Sequence, residues 1–168
     1  EAAVHGLRED TMTTIFHVQN LYHIDQRDLG WLEGMIDGEG TITLNKLHGH
    51  GGGGYRCRRG FIWRVRIQIS NTSLEALEHA KTLVGGGSIN LSTNERLQNR
   101  RPLYLLTINA NLARQLLPLM RLQIKEQRVL AIEALYLLVQ HSRGHTPNDE
   151  RLGQICQEFR KLNKRGLR

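Results

Sequence analysis

A chain of 168 residues with 39% hydrophobic content suits one compact domain with a real core, and without a run of about 18 apolar residues or a signal-peptide pattern it reads as intracellular, prokaryotic cytoplasm and organelle being equally open. Two distant cysteines, Cys57 and Cys156, exclude a disulfide scaffold and a cysteine-ligated zinc site. The net charge is +7, yet twelve bases fall in two acid-free stretches, 40–74 and 96–125, so the remainder is net acidic and those stretches point to a polyanion, most simply nucleic acid.

Residues 1–24 show no period and read as an N-terminal extension. A helix follows. Asp25 is its expected N-cap, with Asp28 three residues on, and Leu29, Leu32, Met35 and Ile36 form its apolar face. Gly30, Gly34 and Gly38 recur every fourth residue and make a second, bare face. A helical glycine costs about 1 kcal/mol relative to alanine. Three on one face therefore suggest close approach of another backbone. Gly38 and Gly40 should end the helix and expose Glu39 at its C-terminus. The helix dipole disfavours a carboxylate there, whereas a carboxylate beside free carbonyls suits a hard divalent cation. A surface Glu in a glycine-rich turn is the plain alternative.

Thr41–Asn45 alternates as a short strand, with Ile42 and Leu44 on one face and Thr41, Thr43 and Asn45 on the other. Lys46 to Gly60 reads as a hairpin loop containing four consecutive glycines, 51–54, and the bases Arg56, Arg58 and Arg59. It is either a plain flexible connection or a basic arm that orders along phosphates. The next strand alternates most clearly. Trp63, Val65, Ile67 and Ile69 share one face, and Arg64, Arg66, Gln68 and Ser70 share the other. Arg and Gln pair bidentately with guanine and adenine edges.

Asn71-Thr72-Ser73 caps a helix with Leu74, Leu77, Ala80 and Val84 on its apolar side. Gly85-Gly86-Gly87 stops it. A third strand places Ile89 and Leu91 inward and Ser88, Asn90, Ser92 and Asn94 outward. A basic turn carries Arg96, Asn99, Arg100 and Arg101. In the fourth strand, 103–109, Tyr104, Leu106 and Ile108 face the core. Leu103, Leu105 and Thr107 face outward, where apolar groups meet thymine methyls. Asn111 opens a short helix that Pro118 breaks. A long helix near 124–140 buries Val129, Leu130, Ala134, Leu137 and Leu138. A last helix, capped by Asn148, buries Leu152, Ile155, Cys156, Phe159 and Leu162. Residues 25–163 form the domain, and 164–168 a basic tail.

The expected architecture is α+β: αββαββα, with extra C-terminal helices on one side of a curved four-stranded antiparallel sheet. The other face carries the bases and amides and suits a DNA groove.

Leu32-Glu33-Gly34-Met35-Ile36-Asp37-Gly38-Glu39-Gly40 resembles the signature of the LAGLIDADG homing endonucleases. Glu33 stands at the first alanine and Gly38 at the second, Met35 at the second leucine, and Glu39 at the last acid. The element order extends the resemblance over roughly residues 25–140. It implies a site-specific double-strand DNA endonuclease encoded by an intron- or intein-type element and acting across the minor groove of a long pseudo-palindromic target. Glu39 and the Gly38 carbonyl would hold Mg2+, in a site that Mn2+ or Ca2+ could also fill. Asn71, otherwise a helix cap, matches the residue that orders the attacking water. Lys125, otherwise a solvated lysine, matches the base beside the scissile phosphate. With one motif per chain, the resemblance implies a homodimer through Gly30, Trp31, Gly34, Asp37 and Gly38. An RNA-splicing maturase or a non-cleaving DNA binder on the same scaffold is the alternative.

Overall fold

The computed structural model describes residues 24–48, 61–92, 102–142 and 148–165. The candidate DNA contacts Arg56, Arg58, Arg59, Asn94, Arg96, Asn99, Arg100 and Arg101 lie outside them. Helix α1 spans Gln26–Glu39, strand β1 Gly40–His48 and strand β2 Phe61–Asn71. Helix α2 spans Leu74–Val84, strand β3 Ser88–Leu91 and strand β4 Tyr104–Ile108. Helices α3 (Ala110–Leu116), α4 (Gln127–Ser142) and α5 (Asp149–Arg165) complete the described chain. This is the expected α+β order, and every strand pairing is antiparallel in the sheet order β1-β2-β4-β3.

The period-two pattern of β2 sets the two faces. Val65, Ile67 and Ile69 are fully buried under the helices with Ile42, Leu44, Leu106 and Ile108 from the flanking strands. Each such side chain contributes about 1.5–3 kcal/mol through burial. Leu32 and Ile36 of α1, Leu77 and Ala80 of α2, and Leu152, Ile155 and Phe159 of α5 close over them. Arg151 of α5 clamps Glu133 of α4 through two bonds of 2.6 and 2.8 Å. That carboxylate raises the Arg151 pKa, against partial desolvation.

The caps are local and chemically plain. The Asp25 carboxylate accepts from Asp28 N–H at 2.8 Å, and Ser73 Oγ accepts from Ala76 N–H. Asn148 Oδ1 accepts from Arg151 N–H. Helix α3 is capped by Asn109, two residues before the expected Asn111, because its Oδ1 takes both the Asn111 and Leu112 amides. At Gly87, φ is +112°, and a Cβ would meet the Thr107 carbonyl oxygen at 2.9 Å. A side chain is therefore refused where α2 returns to β3.

Leu91, Val129 and Gly38 depart from expectation. Leu91 is paired with Tyr104 on the core side, but it ends the edge strand beyond the helices and is 56% exposed. Val129 is 52% exposed, because Ala131, Ile132, Ala134 and Leu135 form the buried face of α4. Gly38 does not end α1, which continues through Glu39.

Candidate functional site

The strand register decides which side chains share the uncovered face. Thr41 is opposite Gln68, which is opposite Thr107, which is opposite Ser88, so four residues make one row across the sheet. Gln68 Nε2 donates to Thr107 Oγ1 at 3.4 Å along that row. Ser70, Leu105 and Asn90 make the next row. Toward the other end of β2, Thr43 faces Arg66 and Asn45 faces Arg64. Leu103 and Ser92 continue the face beyond β4 and β3, joined by the Ser92 N–H to Leu103 carbonyl bond. None of the four strands contains an acid. A positive, amide-rich surface with one apolar patch is thereby built by alternation and register.

Lys46 does not belong to that face. Strand β1 runs past Asn45 to His48, so Lys46 takes the parity of Leu44 and lies opposite Trp63. Its Nζ sits 3.8 Å from the Phe61 ring centroid, a cation–π contact. Trp63 Nε1 in turn donates to Asp149 Oδ1 at 3.0 Å, tying β2 to the start of α5.

Of the candidate catalytic residues, Glu39 stands at the C-terminal end of α1. The chain turns there directly from helix to strand at Gly40, where an added Cβ would lie 2.4 Å from the Ile36 carbonyl oxygen. Only glycine permits this turn. Gly40 pairs with Ile69, so Glu39 enters the sheet beside the β2 end that carries Ser70 and Asn71. Glu39 is exposed, α1 has no base in its last turn, and among the described residues Glu39 has no hydrogen-bond or ion-pair partner. An unpartnered carboxylate at the negative end of a helix dipole calls for a cation. Among the described residues no three His, Cys, Asp or Glu side chains gather as a metal cluster. The donor set is one carboxylate and the carbonyls of the last turn, which fits Mg2+, since this ion is usually held by one or two carboxylates with waters and phosphates.

Asn71 takes the parity of Ile69, facing Tyr104 in register, and its Oδ1 accepts from Ser73 N–H at 2.9 Å. It shapes the turn into α2, while Ser73 is the cap itself. Lys125 lies in the segment before α4, and its backbone N–H donates to Asp37 Oδ1 at 3.2 Å.

Sequence reasoning missed what Asp37 and Glu33 do. Asp37 takes the Gln123 amide at 2.6 Å and the Ile124 amide at 3.2 Å as well as that of Lys125. Both oxygens of this carboxylate are thus taken by amides of its own chain. Glu33 takes the Arg121 amide at 2.6 Å. These partners are 86–88 residues apart in sequence, and no local pattern marks them. Arg128 fastens the start of the same segment through the carbonyls of Leu117 and Pro118. Burial lowers its pKa, and the Glu33 charge opposes that.

Gly30, Gly34 and Gly38 lie opposite the buried Leu32 and Ile36 at about 3.6 residues per turn. All three are exposed, and a Cβ added at any of them would meet nothing within 4 Å. Trp31 flanks the bare face, its ring edge-on to His79 of α2 at 4.7 Å.

No protein-family model and no curated protein matches the chain. Solved structures do. The archaeal intron-encoded homing endonuclease I-Vdi141I, complexed with DNA, superposes with a TM-score of 0.61 at 19% identity over 81% of this chain and 84% of its own. The homing endonuclease I-CvuI, in complex with the I-CreI target and magnesium, with the DNA not cleaved, gives 0.58 at 16% identity over 82% of each. The group I intron-encoded I-CeuI, complexed with DNA, gives 0.62 at 12% identity over 91% of this chain and 75% of its own.

Proposed function

We propose that this chain, which has the fold of the LAGLIDADG homing endonucleases, is a metal-dependent, site-specific double-strand DNA endonuclease acting as a two-fold dimer. The observation that carries the proposal is a juxtaposition. An acid-free sheet face bearing Arg64, Arg66 and Gln68 ends at Glu39, an exposed carboxylate with no partner among the described residues.

On this reading Arg64, Arg66, Gln68, Asn90 and Thr43 read base edges in the major groove, and Leu103 and Leu105 meet thymine methyls. Bases outside the described residues, Arg58 among them, hold phosphates. Glu39 and the Gly38 carbonyl would hold Mg2+, which when bound supplies an activated water and neutralises phosphoryl charge. Lys125 places its ammonium beside the scissile phosphate and stabilises charge that grows as the P–O bond breaks. With its oxygen held by Ser73 N–H, Asn71 would orient the attacking water through its NH2 group.

Helix α1 fully buries only Leu32 and Ile36 of its 14 residues. The opposite glycine face suits a second copy of the same helix, which brings the second Glu39 needed for the second strand. Such a dimer reads a pseudo-palindrome.

The test is cleavage of DNA spanning the gene's insertion point, with and without magnesium. Double-strand breaks at one position only with magnesium are expected. Tight sequence-specific binding without breaks would instead make the chain a non-cleaving binder on this scaffold.

A further inference from the structure

Between Met120, which is buried, and Gln127, which is 93% shielded from solvent, the chain crosses to α4 without regular structure. Few apolar anchors hold it. Leu122 packs partly on the core, but Ile124 is 69% exposed. Four of its backbone amides, those of Arg121, Gln123, Ile124 and Lys125, donate to just two carboxylates. Those carboxylates, Glu33 and Asp37, stand one turn apart on one side of α1. Arg128 holds the upstream end through the Leu117 and Pro118 carbonyls.

We infer that Glu33 and Asp37 are positioning residues for Lys125, clamping its backbone to the helix that ends in Glu39. The inference rests on the proposed endonuclease reading. Exposed amides find water readily, so these bonds matter less to global stability than to where the segment sits. Carboxylate-to-amide bonds are charge-assisted and short, and two of the four are 2.6 Å. The lysine stem is flexible, but its root is not. The same helix thus fixes the acid directly and the base through Glu33 and Asp37. Glu33 stands where the family signature has an alanine, so the second attachment point belongs to this chain's own sequence.

The test is a double-mutant cycle between Asp37→Asn and Lys125→Ala, read by single-turnover cleavage, DNA affinity and amide exchange. Asparagine keeps the size of Asp37 but must turn its NH2 toward Gln123 N–H or toward Ile124 and Lys125 N–H. Asp37→Asn should slow cleavage by about 10- to 100-fold, the scale of an ångström of misplacement. DNA affinity should hold, and the amides of residues 123–125 should lose protection. Added to Lys125→Ala, it should cost nothing further, because its effect passes through that side chain. Glu33→Gln should act in the same direction through one amide, that of Arg121. Losses that multiply in the double variant, or unchanged exchange at 123–125, would overturn the inference and leave the endonuclease reading intact. A wild-type protein that never cleaves would overturn both.

Discussion

Replacing Gly34 by leucine should improve the isolated fold and ruin the assembly. A Cβ at Gly34 has no atom within 4 Å, and the residue is exposed in the interior of a 14-residue helix. Among the described residues nothing stands against the first carbon of the side chain. Glycine to leucine in an exposed helix interior gains about 0.8 kcal/mol in propensity. For a chain of this length that raises Tm by about 2–3 °C. Between two α1 helices the same side chain is intolerable. Helices with ordinary side chains pack about 8–10 Å apart, and a bare face is useful only if they come nearer. Separating them displaces both Glu39 carboxylates, and about 1 Å of misplacement costs on the order of 100-fold in rate. Thermal unfolding of dilute protein should show the stabilised monomer. Sedimentation velocity should show loss of dimer, and residual activity should be nicking. A dimeric Gly34→Leu protein that cuts both strands normally, or a monomer that melts lower than wild type, would refute the reasoning.

Arg64→Ala should cost about 1–3 kcal/mol in binding and relax preference at one or two base pairs, measured by competition between single-base target variants; equal weakening on all sequences would reassign it to a phosphate. Leu106→Ala, at a fully buried position in β4, should destabilise the fold by about 2–5 kcal/mol in denaturant titration, and a loss below 1 kcal/mol would mean the sheet is not the core described.

Period-two alternation in β2 and the glycines after α2 showed in the sequence because they report purely local backbone geometry. The sheet face followed for the same reason, since Arg64, Arg66, Gln68 and Ser70 obey one parity. Lys46 escaped it because the expected strand stopped at Asn45, and three further residues of β1 turn Lys46 to the helix side. The amide partners of Asp37 were not legible because they come from the far end of the domain. Leu91 has core-side parity without cover, as alternation assigns a side but says nothing of what lies above it. The glycine face was legible as a pattern, and its openness became visible only once the monomer left it unpacked.

The most direct test of the central claim is magnesium-dependent cleavage of a partly randomised duplex pool by wild type and Glu39→Gln side by side, with binding recorded on the same pool. The glutamine removes the charge at the end of α1 and little of its shape. Wild type should break a narrow set of sequences on both strands with magnesium and none without it, while Glu39→Gln should select the same sequences by binding and break none. Equal magnesium-dependent cleavage by the two proteins would remove Glu39 from the chemistry and contradict the account.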